Sequence, residues 1–310
     1  MTAEEDAGAA AGATPALQQK ALLLLLVPVL LFGLTWPVTK VALVGSSPLW
    51  FACARAVLST VTSFALVLGL RQLRRPARAD LAIILSIGVL QLAAYFALIN
   101  EALRFLPAGR SGVLASTTTL FLVPLALLTR EPIPPLRWAG AALGLAGIVT
   151  LANPWSLDWR DGRVLAGHGF LLLAALSWAL AILHARRHRW RLLPLQALPW
   201  QMTVASLTLL GLAAVLEPDG QLATGTASLS GLFYIGVVAG PLGSWAALIV
   251  SRDLPTVASS LGFLGIPALG LLVSATVLGE PMTWSLALGS ALIAAGVAFA
   301  TVPKRARGRR

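Results

Sequence analysis

Ser116, Thr117, Thr118 and Thr119 place four hydroxyls in succession inside the apolar run 107–128. Such hydroxyls can hold a polar ligand, bond back to their own helix, or let membrane helices pack closely. Successive residues cover every face of a helix, so only some of the four can face one cavity. Thr117 and Thr118 are the candidates for touching a bound molecule, with close packing as the alternative. Ser111 corresponds to Ser259 in a second, similar stretch, and Ser259 with Phe263 makes an i, i+4 pair able to face the same space. Helix packing competes there as well.

Aromatic residues form the second group. Trp36, Tyr95 and Trp178 lie within apolar runs, and Tyr234, Val238 and Trp245 fall on one face at helical spacing. Rings with polar tips suit small amphipathic molecules, by stacking and, for amines, by cation–π contact. The interfacial aromatic belt is the rival reading. It fits Trp50, Trp155, Trp159, Trp190 and Trp284, near the ends of runs, better than Trp178 or Trp245. Gln91, one turn before Tyr95, and Thr39, beside Trp36, complete the candidate binding set.

Lys40 and Arg55 are the cations nearest the apolar interior. Either they reach back to the membrane surface along their apolar stems, or they attract a carboxylate or phosphate. No acidic residue stands in the middle of an apolar run. Proton-coupled carriers commonly use an intramembrane acid or histidine, so facilitated or exchange transport is expected, with Glu101, Glu280 and His184 as the exceptions to watch. His184 and His188 have metal-ligand spacing, but Arg186, Arg187, Arg189 and Arg191 surround them, which opposes a cation. There is no G-x-S-x-G, no H-E-x-x-H and no mid-run carboxylate pair. No catalytic residue, metal or cofactor is expected, and a polytopic membrane enzyme is the weakest class. The single Cys53 excludes an intrachain disulfide and reads as a packing residue.

The elements that must position these residues are membrane helices. Of 310 residues, 57% are hydrophobic and 11% charged, and the mean hydropathy is +0.83; soluble domains carry roughly 25% charge. The apolar runs are unbroken and long enough to span, where barrel strands would alternate. Ten spans are read at 21–44, 48–70, 81–100, 107–128, 136–152, 166–185, 195–216, 229–250, 255–278 and 283–302. Residues 1–20 read as a disordered polar arm, and residues 303–310 as a basic tail. Acids precede the first apolar run, so it is taken as a retained span rather than a secretory signal. The net charge of +11 is topological. Basic clusters follow the second, sixth and tenth spans, which places both termini in the cytoplasm by the positive-inside rule. The expected partners are a small-molecule cargo and membrane lipids, not nucleic acid. The oligomeric state is left open, and a monomer would suffice.

The chain also repeats itself. "LPAGRSGVLASTTTLFLVPLALLTREP" from Leu106 and "LPTVASSLGFLGIPALGLLVSATVLGEP" from Leu254 share their Leu-Pro opening and Glu-Pro close. "GAALGLAG" and "GSALIAAG" extend the match downstream, and Trp36 in "LTW" with Trp178 in "LSW" extends it upstream. Five spans per copy is an odd number, so the second copy, 166–302, enters the membrane inverted relative to the first, 21–152. The fold expected is an all-α polytopic membrane protein of ten transmembrane helices in two inverted five-helix repeats. A site near the midplane and alternating access follow from that architecture.

With "GLTWPVTKVAL", "SPLWFACARAVLS" and "ALRFLPAG", these features resemble the EamA-type drug/metabolite transporters, over residues 21–302. The resemblance implies a ten-helix carrier, many of whose relatives export amino acids and other small metabolites. It also implies that spans one, three and six line the cavity. Export of amino acids or related amphiphiles across the cytoplasmic membrane leads. Exchange of anionic sugar-phosphate or nucleotide-linked metabolites, and drug or lipid transport, are the alternatives. The family usually carries a mid-helix proline in the fourth and ninth helices. Here Pro267 holds that position in the second half, while Thr118 replaces it in the first and Pro124 follows. As hinges, Pro124 and Pro267 would bend the two helices at different depths. Thr118→Val or Trp178→Ala is expected to reduce transport without loss of expression.

Overall fold

The structure is a computed structural model that describes residues 15–125, 135–152, 161–188, 190–253 and 262–301. Every regular element among them is helical. The first half supplies α1 (Pro15–Ala42), α2 (Pro48–Gly69) and α3 (Arg78–Ser86), which passes through a π-helix, π1 (Ile87–Ala94), into α4 (Tyr95–Phe105). After it come α5 (Ala108–Ala115), α6 (Thr118–Leu125) and α7 (Pro135–Ala152). The second half supplies α8 (Gly162–Arg187), α9 (Pro194–Leu216) and α10 (Thr226–Phe233), which passes through π2 (Tyr234–Leu242) into α11 (Gly243–Asp253). The last two helices are α12 (Gly265–Val277) and α13 (Trp284–Thr301).

Among the described residues, six continuous stretches are long and apolar enough to cross a bilayer: Leu24–Ala42, Pro48–Gly69, Arg78–Phe105, Gly162–Arg187, Pro194–Leu216 and Thr226–Val250. Shorter apolar helices accompany them at Trp138–Leu151, Gly265–Val277 and Trp284–Phe299. Large apolar side chains such as Val61, Leu173, Leu207 and Val215 are exposed around the outside, as a lipid-facing surface requires. The chain is a multi-pass membrane protein. Its first helix begins at Pro15, so the expected polar arm is helical from that residue onward.

Local sequence explains the helix ends. Pro48, Pro135 and Pro194 each open a helix, where a missing N–H is harmless. Gly45 and Gly279 adopt φ of 77° and 66° just beyond α1 and α12, a conformation other residues enter with strain. At the second of these turns the Leu278 and Glu280 amides both bond the Ser274 carbonyl, which swings the Glu280 side chain across to another helix.

The two halves pack into each other rather than side by side. The most extensive helix pairs are α7 with α13, α2 with α9, α4 with α8, and α1 with α12. Each joins a helix before residue 153 to one after residue 161. Buried Phe51, Ala52 and Ala56 of α2 share one core with Met202, Ala205 and Leu209 of α9.

Pro124 stands inside α6, just before the described residues end at Leu125. The fourth apolar run breaks upstream of it, at the turn Ser116–Thr117 between α5 and α6. The hydroxyls make this break: Ser116 Oγ donates to the Gly112 carbonyl, Thr117 Oγ1 to that of Leu114 and Thr118 Oγ1 to that of Ala115, at 2.9, 2.7 and 3.0 Å. Such bonds compete with the helix's own ladder. In the second half a turn at Leu264 precedes α12 and puts Pro267 in that helix's first turn, where proline is tolerated. Ser116 and Leu264 line the same side pocket, of about 380 Å³, together with Val113 and Pro267. The two breaks, one from each half, therefore flank one pocket.

Candidate functional site

A central cavity of about 340 Å³ lies between the halves. Helix α1 contributes Trp36 and Thr39, α2 contributes Arg55, α4 contributes Tyr95 and α8 contributes Trp178, while Phe263 enters from just before α12. The first of these is packed against glycines. A Cβ on Gly112 would lie 3.2 Å from the Trp36 ring and one on Gly270 3.5 Å from it, so α5 and α12 close on the indole. Trp178 meets Tyr95 edge to face, with centroids 4.5 Å apart at 71°. The wall is mostly rings and aliphatic groups with a few polar atoms, the usual make-up of a small-molecule site.

The remaining candidates stand elsewhere. Ser111, Thr117 and Thr118 do not line this cavity, and their hydroxyls bond backbone carbonyls three or four residues earlier in the same run. Gln91, Tyr234 and Trp245 are also off it; Tyr234 Oη donates to the Leu31 carbonyl at 2.9 Å, and Trp245 is exposed. Ser259 lies outside the described residues.

The third and eighth runs turn other residues to the cavity than Gln91, Tyr234 and Trp245. Both runs contain a π-helix, whose i→i+5 bonding inserts a residue and rotates everything around it. On the third run the cavity takes Leu92, Tyr95, Phe96 and Ile99, a face at ordinary helical spacing that passes Gln91 by; on the eighth, across π2, Ile235, Ala239 and Ser244 stand there in place of Tyr234, Val238 and Trp245. π1 and π2 occupy corresponding places in the two halves. Each is braced by a serine, Ser177 Oγ on the Leu90 carbonyl at 2.7 Å and Ser59 Oγ on the Gly236 carbonyl at 2.9 Å. Pro241 within π2 is the only sequence hint, and π1 has none. Phe32 and Thr35 were missed although they share the face of Trp36 and Thr39 at helical spacing.

The two interior cations have different fates. Lys40 is not free to attract an anion: its Nζ donates to the Leu103 and Leu106 carbonyls at the end of α4, where a cation also complements the helix dipole. Arg55 does not reach the surface. It is 6% exposed and lines the cavity, with its guanidinium carbon 3.9 Å from the Phe96 ring centroid.

Polar contacts between the halves close one end of the bundle, beyond Lys40. The Glu280 carboxylate accepts from the Ala108 and Gly109 amides at the start of α5, at 2.6 and 2.9 Å. The Ser47 amide donates to the Gln221 carbonyl, and the Ala223 amide to Ser46 Oγ. Glu217, beyond the end of α9, accepts from the Leu49 and Trp50 amides, and partial burial pushes its carboxyl above the ordinary range.

Apolar membrane helices in two interlocked halves with a ring-lined cavity between them are the architecture expected of a carrier. The comparisons give the particular group: the profile of the EamA-like transporter family matches residues 19–153 and again residues 165–302, and the chain belongs to that family. The uncharacterized transporter YvbV of Bacillus subtilis is 28% identical over 92% of this chain and 92% of its own. The protein named "Probable amino-acid metabolite efflux pump" of Escherichia coli is 29% identical, covering 88% of this chain and 92% of its own. Its namesake in Salmonella typhimurium is 28% identical at the same coverage. One crystal structure superposes with a TM-score of 0.61 at 24% identity, over 91% of this chain and 97% of the other, which shows the shared fold.

Trp178→Ala removes both a cavity wall and the ring that orients Tyr95. An aromatic pair contributes about 0.5–1.5 kcal/mol beyond its area, so roughly a tenfold rise in the half-saturation concentration of cargo is expected. Thr118→Val, whose hydroxyl bonds its own helix, should leave that concentration unchanged. Concentration-dependent uptake by matched amounts of protein in liposomes separates the two.

Proposed function

We propose that this protein is a secondary carrier for small metabolites, amino acids or related amphiphiles foremost, that exports them across the cytoplasmic membrane. The observation that carries the reading is the ring-lined cavity walled by both family copies. The similarity to two proteins named as amino-acid metabolite efflux pumps supports the cargo class.

The proposed mechanism is alternating access between two inverted five-helix repeats, ten spans in all, with both termini cytoplasmic. Reciprocity of the packing supports it: α2 pairs with α9 and α7 with α13, and the third run contacts α8 as the eighth contacts α1. A pseudo-two-fold axis requires such mutual contacts. Matching π-helices, and helix breaks of both halves that flank one pocket, support it further. Exchange of multiply charged sugar-phosphate or nucleotide-linked anions fits less well, because Lys40 is engaged by carbonyls and leaves Arg55 as the one cation lining the cavity among the described residues.

The test is counterflow in proteoliposomes with a radiolabelled amino-acid panel, aromatic and small aliphatic members included, with and without a pH gradient. Saturable exchange indifferent to the gradient is expected. Gradient-driven accumulation would refute the facilitated mode, and absence of flux for every member would refute the amino-acid reading.

A further inference from the structure

We infer that Arg55 is the receptor for a carboxylate on the cargo, and that the cavity selects a single anionic head joined to an apolar or aromatic body, with an ammonium group tolerated but not required. This deepens the carrier reading above and rests on it.

Arg55 is the eighth residue of α2, about 10 Å below that helix's first residue at 1.5 Å per residue. A cation at such depth is expensive unless something satisfies it. Nothing in the protein does so fully. Its Nε and Nη1 are buried without a hydrogen-bond partner, and no carboxylate among the described residues forms an ion pair with it. Phe96 covers the face of the guanidinium and leaves Nε and Nη1 unspent. Unpaired donors on a guanidinium that lines a cavity are what a carboxylate satisfies with charge-assisted hydrogen bonds.

Among the described residues the same wall offers an ammonium no acid. Glu101 pairs with Arg104 on the exposed side, and Glu280 and Glu217 are taken up by helix N-termini. What remains for a cation is the rings of Trp36, Tyr95 and Trp178 and the lone pairs of Thr35 and Thr39, whose hydroxyl protons go to the Leu31 and Thr35 carbonyls. Those groups suit the apolar body equally well. Charge selection therefore falls on the anion.

The experiment is equilibrium binding to the purified full chain, read by intrinsic tryptophan fluorescence, with four probes: L-phenylalanine, 3-phenylpropionate, L-phenylalaninamide and phenethylamine. The two carboxylates should bind at least about 30-fold more tightly than the amide and the amine, since hydrogen bonds to a charged partner carry that much discrimination. Arg55→Gln should abolish the preference by weakening the carboxylates alone, and Arg55→Lys should restore part of it. Unchanged binding of the amide and amine reports that the Arg55→Gln variant is folded. The inference is overturned if Arg55→Gln keeps the wild-type preference, if the wild type favours phenethylamine, or if it binds none of the four. Carboxylate binding through Arg55 without counterflow would refute the carrier reading and leave this one standing; counterflow indifferent to both the carboxylate and Arg55→Gln would do the reverse.

Discussion

Gly296→Val should lower the unfolding temperature of the purified protein more than any single cavity substitution. Helices α7 and α13 form the most extensive helix pair of the fold, and glycines bring their backbones together. A Cβ at Gly296 would lie 2.6 Å from the Gly144 amide nitrogen and 2.7 Å from the Gly140 carbonyl oxygen. Both are main-chain atoms, so no side chain can turn away to make room; the helices themselves must separate. Gly147 and Gly289 repeat the arrangement one layer along, where a Cβ on Gly289 would stand 2.8 Å from the Leu151 amide nitrogen. Membrane helices associate through such close small-residue contacts because no hydrophobic force drives them together. Overpacking of a tight contact costs about 1–3 kcal/mol, and one against backbone on two sides belongs at or above the top of that range. Gly211→Val is the control, since a Cβ there meets nothing within 4 Å. Thermal unfolding in detergent should show a large loss for the first and almost none for the second; equal melting of the two would remove α7 and α13 as the static seam between the halves.

The second large effect is expected at Glu280. Its carboxylate holds the start of α5 through two charge-assisted amide bonds, and each such bond is worth about 1.5–3 kcal/mol. Gly109 permits the approach, because a Cβ there would crowd Leu271 and the carboxylate itself. The contact joins the loop after α12 to the start of α5, the helix that ends at the Ser116–Thr117 turn. Glu280→Gln keeps the shape and removes the charge. It should therefore favour the arrangement in which this end of the bundle is open. A cysteine at Thr35, in a Cys53→Ala background, reports cavity access, and its rate of modification by a thiol reagent should rise about tenfold, equivalent to about 1.4 kcal/mol in population. An unchanged rate would make the contact a helix cap without a part in access.

Much of this architecture is legible in the residues. The apolar runs and their duplication anticipate the helices, and Trp36, Thr39, Tyr95 and Trp178, together with Phe263, converge on one cavity although they are far apart in the chain. Four features resisted reading for physical reasons. A π-helix has no composition of its own, so the shift from Tyr234 and Trp245 to Ile235 and Ser244 is invisible at helical spacing. Lys40 is held by carbonyls more than sixty residues away, which is a tertiary fact. Ser116, Thr117 and Thr118 look like ligand contacts because hydroxyls serve backbone and cargo alike, and here the backbone takes them. Arg55 is ambiguous until its surroundings are known, since the same side chain at the same place could reach the surface or point inward.

The central claim is that the cavity between the halves is the path of the cargo, and side-specific labelling tests it most directly. The protein carrying Thr35→Cys and Cys53→Ala is placed in liposomes of known orientation, and a membrane-impermeant thiol reagent is applied to one face at a time. The account predicts modification from either face, slowed by the same cargo that shows counterflow. Modification from one face only, indifferent to cargo, would contradict it.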